Sequence, residues 1–197
     1  PDQVLAVDAQ YTVAPFLNPV HECGVSVLGR VRNNRCFYLP PPDYSGFGRP
    51  AVRGCKIKLN DARTLPPIDA RQEWKLDDGR RVEVSRWNDV RMRKWPPQSL
   101  QLYRVIEYKA DGKPRYKRPL WLIFVAAPEQ TLSPTPREAE AIYDERFSIE
   151  HGIRFFKGRS GFDLRTVQRP RSRRPCTSLG RNGGDGILVL VGVARSG

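Results

Sequence analysis

The stretch "VLAVDAQYTVAPFLNPVHECGVSVLGRVR" (4–32) decides the fold class. Its first four residues, Val4 to Val7, are a short apolar run that ends at Asp8. A buried strand with a carboxylate at its C-terminal end has this pattern. "YTVAPFLNPVHECG" follows and suits a short helix that closes near Gly24, although Pro19 lies inside it. "VSVLGRVR" (25–32) alternates well enough to be the next strand. Strand, helix, strand is an α/β unit.

Downstream the pattern changes twice. "LPPPDYSGFGRP" (39–50) is too rich in Pro and Gly for regular structure, and "RPAVRGCKIKL" after it has room for one short strand. A β-rich block then reads as four runs, "RRVEVSRW", "VRMRKW", "LQLYRVIEY" and "PLWLIFVA". They are separated by "ND", "PPQS" and "ADGKPRYKR", and the first two look like a hairpin that turns at Asn88–Asp89. From Leu132 the text becomes helical. Ser133 or Thr135 can cap the start, and Pro136 suits the first turn. Beyond about residue 165 comes an Arg/Pro run, then Gly-rich text. "ILVLVGVA" (187–194) is strand-like with no evident pairing partner.

The 197 residues suffice for one domain with a real core. The formal net charge is +13, which suits a polyanionic partner, most often nucleic acid. Residues 154–197 carry ten Lys/Arg against two acids, so the C-terminal end is the most basic part. Cys23, Cys36, Cys55 and Cys176 form no C-x-x-C pair. With only His21 and His151 to join them, they read as reduced thiols rather than a zinc site. No apolar run approaches the roughly 20 residues of a membrane span, so no membrane role and a cytoplasmic location are expected.

The functional question sits in "YDERFSIEHGIRFFK" (143–157). At about 100° per residue on a helix, Tyr143, Arg146, Glu150 and Lys157 share one narrow arc. From periodicity alone this is either a chemical stripe or ordinary solvated decoration, with Arg146–Glu150 a surface ion pair. His151 would point away from the arc. The chain has no P-loop Lys-Ser/Thr after "GRNGGDG", and no partnered His for the Cys and Ser of "CTSLG".

The spacing Tyr-x2-Arg-x3-Glu-x6-Lys resembles the signature of one branch of the bacterial insertion-sequence transposases, which use an Asp-Asp-Glu triad. The wording "RFSIEHGIRFFKGRSG" is similar to that branch. "VLAVDAQYTVAPFL" resembles the segment around its second catalytic Asp, and "VRNNRCFYLPPP" the stretch after it. The resemblance spans about residues 3–165. It implies an α/β, RNase H-like catalytic core with a β-rich insertion between the second Asp and the Glu. On that scheme 1–32 is a partial core, 33–130 the insertion, 131–165 the catalytic helix, and 166–197 a basic, Gly-rich tail that is either disordered or the product of a reading-frame shift.

The resemblance also implies a chemistry: hydrolysis of a DNA phosphodiester at the element's end, followed by attack of the freed 3′-hydroxyl on target DNA. Mg²⁺ (or Mn²⁺) would sit on hard carboxylate oxygens. Asp8 would be the second triad carboxylate and Glu150 the third, both metal ligands. Tyr143, Arg146 and Lys157 would contact DNA. Arg30, Arg32 and Arg35 would follow its backbone, or else decorate a solvated loop. Double-stranded DNA is the expected partner, with a homo-oligomer on DNA and a nucleoid-associated bacterial location. Trp87, Trp95 and Trp121 read as core.

The chain departs from the family pattern in three places. The second Asp falls at residue 8, ahead of which there is no room for the strand bearing the first. The helical continuation after 165 is replaced. Gly152 stands where a large residue is expected. A truncated, inactive copy is therefore the expectation. The rival expectation is a non-catalytic nucleic-acid-binding protein that uses the basic tail and the β-rich block.

Overall fold

The computed structural model describes residues 2–128, 130, 132–146 and 189–193. The first unit forms as its residues dictate. β1 (Asp2–Val7) leads into α1 (Ala14–Glu22), which returns to β2 (Ser26–Val31). β1 and β2 are parallel, with Val4 opposite Ser26 and Val7 opposite Gly29. Pro15 sits in the first turn of α1, where its missing N–H costs nothing, and Gly24 (φ 75°) takes the left-handed position just past the helix end. Pro19 is accommodated inside the helix.

Beyond β2 the remaining strands are β3 (Cys36–Tyr38), β4 (Lys56–Lys58), β5 (Ala70–Lys75), β6 (Arg81–Met92), β7 (Trp95–Tyr108), β8 (Leu120–Val125) and β9 (Val189–Val193). All join one mixed sheet in the order β4-β3-β6-β7-β8-β2-β1-β9, with β5 also paired to β6. The α/β unit and the β-rich block are thus hydrogen-bonded together, because β8 lies antiparallel to β2 (Val27 opposite Val125).

Two sequence expectations are corrected here, and one strand that the sequence did not signal is added. Asn88–Asp89 is not a hairpin turn. The ladder runs through it as an irregularity between Trp87 and Val90, with Asp89 at φ 50°, and β6 continues to Met92. The chain reverses at Arg93–Lys94 instead, since Met92 pairs with Trp95. The bulge lets one edge of β6 serve two partners, β5 along Arg81–Arg86 and β3 at Arg91. Next, "ARQEWK" (70–75) is a strand whose side chains are mostly exposed, so it carries no apolar signal. Finally, "ILVLVGVA" does have a partner: β9 lies antiparallel on β1, Asp2 opposite Val193 through Ala6 opposite Val189.

Strand alternation splits the core between two sheet faces. One face carries Val4, Ala6, Leu28, Val82, Val84, Tyr103, Val105, Leu122 and Phe124, covered by Ala139, Ile142 and Tyr143 of the helix α2 (136–146). The other carries Val7, Val27, Val31, Phe37, Trp87, Leu102, Trp121 and Ile123, covered in part by Leu17 of α1. Trp87 and Trp121 are buried and Trp95 packs against the core, as the sequence implied. Cys23, Cys36 and Cys55 are free thiols. No helix among the described residues is long and apolar enough to cross a membrane.

Candidate active site at the end of β1

The alternation that buries Val4 and Ala6 under α2 carries on to Asp8. One residue beyond the strand, Asp8 belongs to the same sheet face. It is half-buried, and its carboxylate makes no hydrogen bond or ion pair with the described residues. Its carbonyl accepts from the Tyr11 amide at 3.0 Å, which turns the chain towards α1. By the same parity Leu28 and Arg30 of β2 belong to this face, and Arg30 is exposed at its rim.

Thr12 locks the loop in place. It is buried, and its hydroxyl lies 2.8 Å from the Arg30 carbonyl and 3.0 Å from that of Ala9. Gly29, between them, has no room for a side chain: a Cβ there would run into Thr12 and Val7. The close approach of β2 to the Asp8 loop depends on that missing atom.

The helix reaches the site by a firmly anchored route. Thr135 and Glu138 form a reciprocal capping box. The Thr135 amide donates to Glu138 Oε2 (2.7 Å), and the Glu138 amide donates to Thr135 Oγ1 (3.3 Å). Of the two proposed caps, then, Thr135 is the one used. The carbonyl of Pro134 accepts from Tyr103 Oη (2.8 Å) and Arg86 Nη1 (3.1 Å), which ties the helix entry to β6 and β7. Burial pushes the Tyr103 phenol well above its usual range, so it stays a donor.

Tyr143 and Arg146 do not decorate a solvated face. They are 2% and 3% exposed, so no ring face of Tyr143 is open for a base to stack on. Arg146 Nη2 donates to Tyr143 Oη at 3.3 Å, and its guanidinium stands 5.0 Å from the centre of the Tyr143 ring. Burial raises the phenol's pKa above its ordinary value. Arg146 opposes the rise, Asp8 adds to it, and Arg30 opposes it. Asp8, Arg30 and Arg146 are therefore each within electrostatic reach of the Tyr143 hydroxyl. Three elements far apart in sequence supply them.

Glu150 and Lys157 lie outside the described residues. Arg32 is exposed and Arg35 half-buried; the Arg35 amide donates to the Arg32 carbonyl at 3.0 Å, closing a turn after β2. No group of three or more His, Cys, Asp or Glu side chains gathers among the described residues. Sequence reasoning passed over Thr12 and Gly29, although a Gly inside an apolar strand is a signal of close approach. Comparison with family models, characterised proteins and solved structures finds no match for the chain.

Proposed function

We propose that the chain serves metal-dependent DNA strand cleavage and strand transfer of the Asp-Asp-Glu transposase kind, on an RNase H-like core. Asp8 and Glu150 supply two of the three carboxylates. The observation that carries the reading is the convergence of a strand-end carboxylate, Asp8, with Arg30, Tyr143 and Arg146 on one sheet face. The parallel β1–β2 pair, with helices on both faces, also supports it.

The residues fit a divalent cation. Asp8 offers hard oxygen ligands and spends them on no described neighbour. Glu150 shares the helical arc of Tyr143 and Arg146 in the sequence, so it is the natural second ligand. When bound, Mg²⁺ supplies charge neutralisation at the scissile phosphate and activation of the attacking oxygen. The chain's own residues do the rest. Tyr143 and Arg146 hold the helix register from inside the seam, and Arg30 meets phosphate charge at the rim. In the first step a water oxygen bonds to phosphorus and the P–O3′ bond breaks, leaving a 3′-hydroxyl and a 5′-phosphate. That hydroxyl then attacks a phosphodiester of the target: its oxygen bonds to the target phosphorus, the target's own P–O3′ bond breaks, and the departing 3′-oxygen takes up the proton.

Mn²⁺ binding, read by electron paramagnetic resonance, tests the assignment on the full chain. Asp8→Asn and Glu150→Gln should each weaken it by about tenfold or more, since each removes a charged ligand. Unchanged Mn²⁺ affinity in both variants would overturn the reading.

A further inference from the structure

A second feature opens beside this site. An open groove of about 870 Å³ runs between the end of β2 with its following loop and the connection from β7 to β8. One wall presents Arg30 and Arg32, the other Lys117 and Arg118. All four are exposed, and none forms an ion pair with the described acids. Among the described residues, Glu107 is the one acid in the lining. Its charge is already answered by Arg80 at 3.0 Å and Arg115 at 2.7 Å. Over the described residues the groove is thus a cationic channel whose one lining acid is neutralised, an arrangement that concentrates field on an anionic ligand.

The walls are built rather than loose. Trp121 Nε1 donates to Asn33 Oδ1 at 3.0 Å, which pins the loop after β2 against β8. Tyr116, 56% exposed, lies in the same lining, with the Arg115 guanidinium 5.1 Å from its ring centre. An exposed aromatic ring among cations is the combination that holds an unpaired nucleic-acid strand, the bases stacking and the phosphates meeting Arg and Lys. Arg30 belongs both to the groove and to the surroundings of Tyr143, so the channel abuts the Asp8 site.

We infer that this groove holds a DNA strand by its phosphates, with Tyr116 stacking on a base, and so leads the strand to the Asp8 site. The inference rests on the proposed DNA chemistry, but it needs no metal. Binding of a fluorescent oligonucleotide by the full chain in EDTA, followed by anisotropy at several salt concentrations, tests it. Lys117→Ala/Arg118→Ala should weaken binding roughly tenfold near 100 mM salt and lower the salt slope by between about 1 and 2. Lys117→Arg/Arg118→Lys, which keeps the charges, should bind as the native chain does.

Photocrosslinking with 5-iodouracil DNA supplies an independent readout, with the adduct expected at Tyr116. Adducts confined to 154–197, or an unaltered slope in the charge-removing variant, would overturn the groove while leaving the Mn²⁺ test of Asp8 and Glu150 to stand by itself. Equal competition by polyglutamate of matched charge would overturn it in favour of an acidic peptide. Absence of DNA binding by the native chain would overturn the groove and the proposed function together.

Discussion

Gly29 is where a single absent atom shapes the site. A Cβ at this position would meet Thr12 and Val7, the residues that hold the Asp8 loop against β2. Gly29→Val should therefore cost about 1–3 kcal/mol through overpacking, seen as a lower thermal midpoint, and should also weaken Mn²⁺ binding. A midpoint equal to the native one would show that the loop yields freely. Glu140 offers a pH signature. Burial first, then Asp144 and Glu107, raise its pKa from 4.5 to about 7. Below about pH 4.5 the carboxyl is protonated in both folded and unfolded chains. Between 4.5 and 7 only the unfolded chain ionises it, and above 7 the folded state bears the full penalty. Glu140→Gln should match the native chain near pH 4.5 and exceed it above pH 7, by on the order of 1 kcal/mol given partial solvation. Urea melts at the two pH values check this, and an equal gain at both would refute it. Asp8 was legible because a carboxylate ending an apolar strand is a local pattern. Thr12 was not, because its role is a bond to a carbonyl 18 residues away.

At the scale of elements, α2 owes its start to chemistry that can be read in four letters. "TPRE" (135–138) carries the cap, the first-turn Pro and the reciprocal Glu. Thr135→Ala should cost ~1 kcal/mol and loosen the helix entry. Hydrogen exchange of the amides of Glu138 and Ala139 should accelerate while those of β8 do not, and unchanged protection would mean that the Pro134 anchor suffices alone. The β6–β7 hairpin shows the opposite case. "ND" is a common turn signal, and it drew the reversal to the wrong place. The structure spends it on a bulge, where Asp89 takes a positive φ and accepts from Arg91 Nη2 at 3.0 Å. The Asn88 amide donates to Asp69 Oδ2 at 2.7 Å. A long-range partner for an irregular residue turns a turn signal into a bulge. β5 escaped notice for a related reason: a strand with only Ala70 and Trp74 partly buried is held largely by its neighbour's backbone, and no clear side-chain period marks it.

For the whole molecule, the edges of the sheet matter most. At one end β4 shows Lys56 and Lys58 to solvent, a charged edge that discourages further pairing. At the other, β9 covers the apolar β1 through five register pairs. Deleting residues 187–197 should expose that edge, so higher-mass species should gain at the monomer's expense when light scattering follows size exclusion at matched concentration. An unaltered elution profile would refute the sealing role. By itself the sequence determined the α/β class, the strand–helix–strand unit, the buried tryptophans and a cap for α2 at Ser133 or Thr135. Each of these follows from patterns within a few residues, where apolar period and turn chemistry act. The tertiary structure alone decided that β8 joins β2, that β9 seals β1, and that Tyr143 and Arg146 lie inside the seam with Asp8 and Arg30 near them. Those outcomes depend on which backbone edges meet and which faces they bury, and such partners lie up to nearly two hundred residues apart along the chain.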